Sequence, residues 1–159
     1  MVNVPDWITA EEKQAERQKA ETEAHGQKVI EDSFRIAKEG PVFWKELMEK
    51  LKENTDALSR LNLSGSASVM TPADERSEHK CRVEAINSGV DRTYTDLFYR
   101  PGSTSIRCWT PTGPQDDFVF IVPGNGAIAV MQPGEPVMNA SQMAEFVVRN
   151  MANHVRGKR

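Results

Sequence analysis

The side chains with intrinsic reactivity are few: two cysteines, Cys81 and Cys108, and three histidines, His25, His79 and His154. A thiol becomes a nucleophile only when a base or a positive setting lowers its pKa. Cys81 stands two residues from His79. In a segment of alternating polarity such residues lie side by side on one face, which is no more than neighbourhood. Cys108 follows Arg107, yet a cysteine in an apolar strand is first of all a small core residue. An enzyme built from this chain would have to bring His79, Asp96 or Cys108 together from separate strands.

Metal chemistry fares no better. A metal site needs several convergent His, Cys or carboxylate ligands, and the chain has no CxxC, HxxxH or HExxH. Its densest ligand cluster, Asp74, Glu75, Glu78 and His79, falls in a loop, where clustered acids are ordinarily solvated. Gly65-Ser66-Ala67-Ser68 lacks the spacing of a nucleophile elbow. Gly124-Asn125-Gly126 lies between two strands, whereas a phosphate-binding glycine loop opens a helix. The expected inventory is therefore no catalytic residue, no metal and no cofactor.

The residues that stand out instead are aromatic and charged. Strand alternation puts Arg82, Glu84 and Ile86 on one face of their segment, Tyr94, Asp96 and Phe98 on one face of the next, and Arg107 with Trp109 on a third. Parity within a strand does not fix which face is which between strands. If the registers align, Arg82, Glu84, Tyr94, Phe98, Arg107 and Trp109 form a ligand- or partner-binding surface of the composition that binding hot spots favour. If they do not, these aromatics pack beneath an N-terminal helix.

The elements that must position them can be read in order. Thr9 with Glu12 forms a capping-box pattern that starts a helix near Ala10. From there to Lys28 the sequence is polar on nearly every face, and only Ile8, Ala15, Thr22, Val29 and Ile36 keep a seven-residue spacing. Residues 1–28 are expected to be a polar helical arm, and 29–159 a single domain. Gly40-Pro41 is expected to break the helix and start another, since proline suits a first turn and costs about 3 kcal/mol inside. Phe43, Trp44, Leu47, Met48, Leu51 and Leu58 then recur at helical spacing.

Beyond Ser64-Gly65-Ser66 the period changes to that of strands: Ala67–Met70, Cys81–Ile86, Tyr94–Tyr99, Ser105–Thr110, Phe118–Val122 and Ala127–Met131. Turn chemistry separates them, including Thr71-Pro72, Asn87-Ser88-Gly89, Arg100-Pro101-Gly102 and Pro111-Thr112-Gly113-Pro114. Spacing of about ten residues implies antiparallel neighbours, and Asn125-Gly126 implies a tight final hairpin. Asn139 and Gln142 make a capping box before a last helix whose apolar face is Met143, Phe146, Val147, Met151 and Val155; Met138 staples against Met143. Arg156, Lys158 and Arg159 suit its C-terminal end. The fold class is α+β: N-terminal helices, an antiparallel five- to six-stranded meander, and a C-terminal helix packed on the sheet.

Charge bounds the partners. The net charge of −3 arises from residues 1–60, which hold thirteen acids against ten bases, while residues 61–159 hold ten of each. That balance does not point to nucleic acid. Phe118 to Val122, the densest apolar run, is too short to span a bilayer. Two unpaired thiols and a polar N-terminus without a signal-peptide pattern point to the cytoplasm. Ala127–Met131 is apolar on both sides, so either the N-terminal helix or a second subunit must cover it; hence a homodimer is expected. The primary functional expectation is a non-catalytic protein-interaction, adaptor or chaperone-like module. The alternative is a small-molecule binder, its pocket between the sheet and the C-terminal helix and lined by Trp109, Phe98 or Met143.

Overall fold

The computed structural model describes residues 5–61, 65–70, 78–87, 92–124 and 126–155. The expected turns at Thr71-Pro72 and Ser88-Gly89, the acids Asp74 and Glu75, the turn residue Asn125 and the basic tail of Arg156, Lys158 and Arg159 lie outside these residues. The chain divides into two units, Met1–Phe34 and Arg35–Arg159, with the boundary inside the first helix.

Helix α1 runs Asp6–Leu61. It begins earlier than Thr9 suggests, because the Pro5 carbonyl accepts the amides of Ile8 and Thr9 at 3.1 and 3.3 Å and Asp6 places an acid in the first turn. The first unit is the polar stretch of this helix, with Trp7, Val29, Ile30 and Phe34 exposed.

The second unit carries the core. Here α1 does not break at Gly40-Pro41 as its sequence suggests; Pro41 lies inside one helix. Proline there removes an amide donor and crowds the carbonyl four residues back. Buried side chains flank it on one helical stripe: Ile36 before it, Phe43, Trp44, Leu47 and Leu51 after it. Each large side chain so buried contributes roughly 1.5–3 kcal/mol, and together they exceed the cost of the proline. Gly40 falls on the same stripe, and a Cβ built on it would lie 2.4 Å from the Tyr99 hydroxyl oxygen. The glycine serves a close approach, not a helix end.

The sheet follows as β1 (Gly65–Met70), β2 (His79–Asn87), β3 (Arg92–Tyr99), β4 (Ser105–Thr110), β5 (Gly113–Pro114), β6 (Phe118–Ile121) and β7 (Ala129–Met131). Six strands adjoin in the order β1-β2-β3-β4-β6-β7, and β5 pairs with β4 off that path. Every pairing is antiparallel, so the meander read from the turns is the observed topology. The last hairpin is wider than Asn-Gly implies. Pairing ends at Ile121 opposite Ala129, and Arg35 Nη2 donates to the Gly126 carbonyl at 2.6 Å, holding the loop to α1.

Helix α2 spans Ala140–Val155. Its capping box closes in both directions: the Gln142 amide donates to Asn139 Oδ1 at 2.8 Å, and the Asn139 amide donates to Gln142 Oε1 at 2.9 Å. Met138 and Met143 are both buried. One sheet face meets the helices. Cys81, Val83 and Ala85 from β2, Leu97 and Tyr99 from β3, Ile106 and Cys108 from β4, and Phe118 and Phe120 from β6 join Phe43, Trp44, Leu47, Leu51, Met143 and Val147 in one core cluster. Ile128, Ala129 and Val130 are buried within the chain itself. Val130 exchanges backbone hydrogen bonds of 2.9 Å with Met138, which extends the sheet edge past β7, and the burial of these three residues needs no second subunit.

Candidate functional site

The opposite sheet face carries the charged and aromatic residues, and the register aligns them. Arg82 lies opposite Asp96, Glu84 opposite Tyr94, and Lys80 opposite Phe98. Asp96 in turn lies opposite Trp109, and Phe98 opposite Arg107. Arg82, Glu84, Tyr94, Phe98, Arg107 and Trp109 therefore share one face, directed away from the core cluster. None of them packs beneath α1.

Two cross-strand rows organise it. In the first, Arg82 donates to both Asp96 oxygens, Nε to Oδ1 at 2.7 Å and Nη2 to Oδ2 at 2.8 Å, the fork geometry of a bidentate pair. The same guanidinium sits 4.2 Å from the Tyr94 ring centroid and 3.9 Å from Glu84 Oε1. Its pKa is pushed further up, first by the hydrogen bond to Asp96. Asp96 is only 6% exposed, so the carboxylate that positions the guanidinium over Tyr94 is itself held out of water. In the second row, Phe98 lies between two cations, with Lys80 Nζ 5.4 Å and Arg107 Cζ 5.3 Å from its centroid. Such contacts are worth about 0.5–1 kcal/mol each at exposed sites. Arg107 Nη2 also donates to Glu78 Oε1 at 2.5 Å. Trp109 is 43% exposed, as are Val119 and Met131, which pair with each other further along the sheet.

The residues singled out for acid–base or nucleophilic work are not brought together. Asp96 faces outward, whereas Cys108 faces the core and His79 stacks on Trp44 and Tyr99 with centroids 6.3 and 6.0 Å apart. Asp96 is thus divided from Cys108 and His79 by the sheet. Glu78 is engaged by Arg107, and among the described residues no three His, Cys, Asp or Glu converge on a possible metal position.

Burial keeps the thiols in their neutral form. Cys81 and Cys108 are both buried and unbonded. Each pairs with Leu97 from its own side, so they stand about two strand spacings, ~10 Å, apart, beyond disulfide reach. Burial pushes both pKa values up to about 12, reinforced at Cys81 by Asp96 and at Cys108 by Asp117 and Asp96. Burial also raises the Tyr99 phenol; the Gly102 backbone lies near enough to temper that rise but not in hydrogen-bonding geometry. Folded thiols that hold protons more tightly than unfolded ones contribute stability that is complete below pH 9 and lost as pH climbs toward about 12. Melting temperature is expected to fall steeply across that window, and Cys81→Ala with Cys108→Ala to flatten the fall. Iodoacetamide at pH 8 is expected to modify neither thiol before unfolding and both after it.

A groove opens between the sheet and α2, but its lining is not the one the sequence suggested. Trp109 and Phe98 are on the other face, and Met143 is fully buried. The groove is lined instead by Thr95, Cys108, Thr110, Phe118, Phe146 and Asn150, with a volume of about 260 Å³. Sequence reasoning missed it because Thr93 and Thr95 follow the core parity of β3 while reading as ordinary strand polar residues. Among the described residues no helix is long and apolar enough to cross a membrane. No family model, curated protein or solved structure matches the chain.

Proposed function

We propose that this chain is a non-catalytic interaction module that docks a protein partner through the outer face of its sheet. The observation that carries the reading is the register that sets Arg82 on Tyr94, and Phe98 between Lys80 and Arg107, on the side away from both helices. Arginine and aromatic side chains give large contact area at low entropic cost, and they dominate binding hot spots when pre-organised. Asp96 supplies that pre-organisation from below the surface. Exposed Val119 and Met131, opposite each other on β6 and β7, add an apolar patch beyond the Phe98 row, and exposed Trp109 ends the Arg82–Asp96 row.

The face also defines the partner's chemistry. Lys80, Arg82, Arg92 and Arg107 outnumber Glu78, Glu84 and Asp96, and Arg92 makes no ion pair among the described residues. A complementary surface is apolar at its centre and carries carboxylates around it. The unpaired, buried thiols suit a reducing compartment, and we place the module in the cytoplasm. A second copy of the chain is a further candidate partner, since Val119 and Met131 stand exposed side by side on the same face.

A photo-crosslinking amino acid at position 109 of the full chain tests the reading in extract of the cells that express it. The expected product is a discrete adduct with one protein, lost when Arg107→Glu is introduced into the same chain. An adduct only with a second copy would assign the face to a homodimer and overturn the adaptor reading. Adducts indifferent to Arg107→Glu, or none, would overturn the docking surface itself.

A further inference from the structure

Two recesses adjoin where β3 and β4 run out beneath α2. One, of about 260 Å³, is lined by Thr95, Cys108, Thr110, Phe118, Phe146 and Asn150 among others. The second, of about 300 Å³, is lined by Thr93, Tyr94, Thr95, Thr110, Pro111 and Asn150 among others. Thr95, Thr110 and Asn150 belong to both, so the recesses form one groove. Either alone sits at the lower limit of ligand sites, roughly 300 Å³, and only together do they reach the ordinary range.

Two polar groups in this groove, the hydroxyls of Thr93 and Thr95, are unexplained by the fold. Thr93 and Thr95 are each only 7% exposed. They continue the side of β3 that carries Leu97 and Tyr99, where a packed core would place apolar side chains. Neither hydroxyl has a hydrogen-bond partner among the described residues, and neither is sealed from the groove. The Asn150 side chain, across the groove on α2, has no partner among the described residues and is exposed, so it is open both to water and to the groove. Nearly buried polar groups are ordinarily satisfied, and leaving them open costs stability. Groups left open toward a shared cavity are the arrangement expected of a binding site.

We infer that this groove binds a small, uncharged, planar molecule carrying both hydrogen-bond donors and acceptors on its ring edge, the chemical class of nucleobases and related heterocyclic amides. The Thr93 and Thr95 hydroxyls and the Asn150 carboxamide each donate and accept, which matches a ring edge of alternating character, while Thr110 Oγ1 is already bonded to Thr112 Oγ1 at 2.9 Å and to Gln115 Nε2 at 3.0 Å. Phe118 and Phe146 supply an apolar wall, their rings edge to face with centroids 6.1 Å apart. The charged side chains of the lining, Asp116 and Arg92, belong to different recesses. The shared middle of Thr95, Thr110 and Asn150 is therefore neutral, which disfavours a fully charged ligand there.

The test uses the full chain with free uracil, cytosine, adenine and guanine as probes, and glucose and glycine as comparators. Amide resonances are followed by NMR at ligand concentrations up to about 10 mM, which detects binding as weak as the millimolar range. At least one base is expected to shift Thr93, Thr95, Thr110 and Asn150 in a saturable manner. Thr95→Val, which keeps the side-chain shape, is expected to weaken binding about fivefold or more, the loss of one buried hydrogen bond. Asn150→Ala, at an exposed helix position, is a second variant that leaves the fold intact and is expected to weaken binding similarly. No saturable shift with any base, stronger binding of glucose or glycine, or affinity unaffected by Asn150→Ala would overturn the assignment.

Discussion

Gly40→Ala is expected to destabilise the protein by about 2 kcal/mol, and Tyr99→Phe in the same chain to restore most of that loss. An alanine in an open helix position would add up to about 1 kcal/mol over glycine. Here its Cβ would stand 2.4 Å from the Tyr99 hydroxyl oxygen and 3.3 Å from the ring carbon bearing it. The ring cannot retreat. It is fully buried, stacked on Trp44 at 5.6 Å and edge-on to Phe120 at 5.9 Å. Overpacking of this kind costs roughly 1–3 kcal/mol or more and outweighs the gain in propensity. Deleting the hydroxyl removes the nearest atom and leaves a contact that small shifts can relieve. Chemical denaturation of the two single variants and the double variant measures the coupling directly. Additive effects would mean that α1 and β3 do not meet at this point.

Asp96→Ala should lower stability by about 2–3 kcal/mol, and replacing both partners, Arg82→Met with Asp96→Leu, should cost much less. The Arg82–Asp96 pair is bidentate and its carboxylate is nearly buried. Breaking a buried pair from one side costs roughly 3–5 kcal/mol because a charge is left without a partner. The figure is reduced here because about a third of the Arg82 side chain is exposed and Glu84 lies within reach. If the double replacement proves as damaging as the single one, the pair acts through packing and not through charge. Either denaturant or thermal unfolding resolves the two cases.

Much of this was legible in the residues. Alternation located the strands, from Cys81–Ile86 inside observed β2 to Ser105–Thr110, which is β4 itself. Asn139 and Gln142 announced α2, because a capping box is a local device that tertiary packing seldom overrides. The hairpin read between Phe118–Val122 and Ala127–Met131 is there, with the Gly126 amide donating to the Pro123 carbonyl at 3.1 Å. Its pairing stops at Ile121 opposite Ala129, however, and the bond from Arg35 to the Gly126 carbonyl depends on a residue distant in sequence. Gly40-Pro41 failed for a related reason: a helix break and a close helix–strand approach leave the same glycine in the sequence. The two residues of β5 carried no strand signal, since Gly113 and Pro114 are turn formers paired only through their backbone.

The candidate surface divides in the same way. Parity gave each strand's set, and only pairing could show that Arg82, Tyr94, Phe98 and Arg107 share a face. Asp96 lay in the alternation pattern, but its role beneath Arg82 depends on a partner fourteen residues away. The groove hydroxyls had no signal of their own, because a threonine on a strand looks the same whether it is solvated or faces a cavity.

Cross-strand nuclear Overhauser contacts at Phe98 test the shared face most directly. The Phe98 ring should contact the side chains of both Lys80 and Arg107, while Leu97 contacts Cys81 and Cys108 on the other side of the sheet. Because strand side chains alternate, a register slip of one residue would reverse the faces. Contacts from Phe98 to Cys81 or Cys108, or to residues of α2, would contradict the alignment on which the docking surface depends.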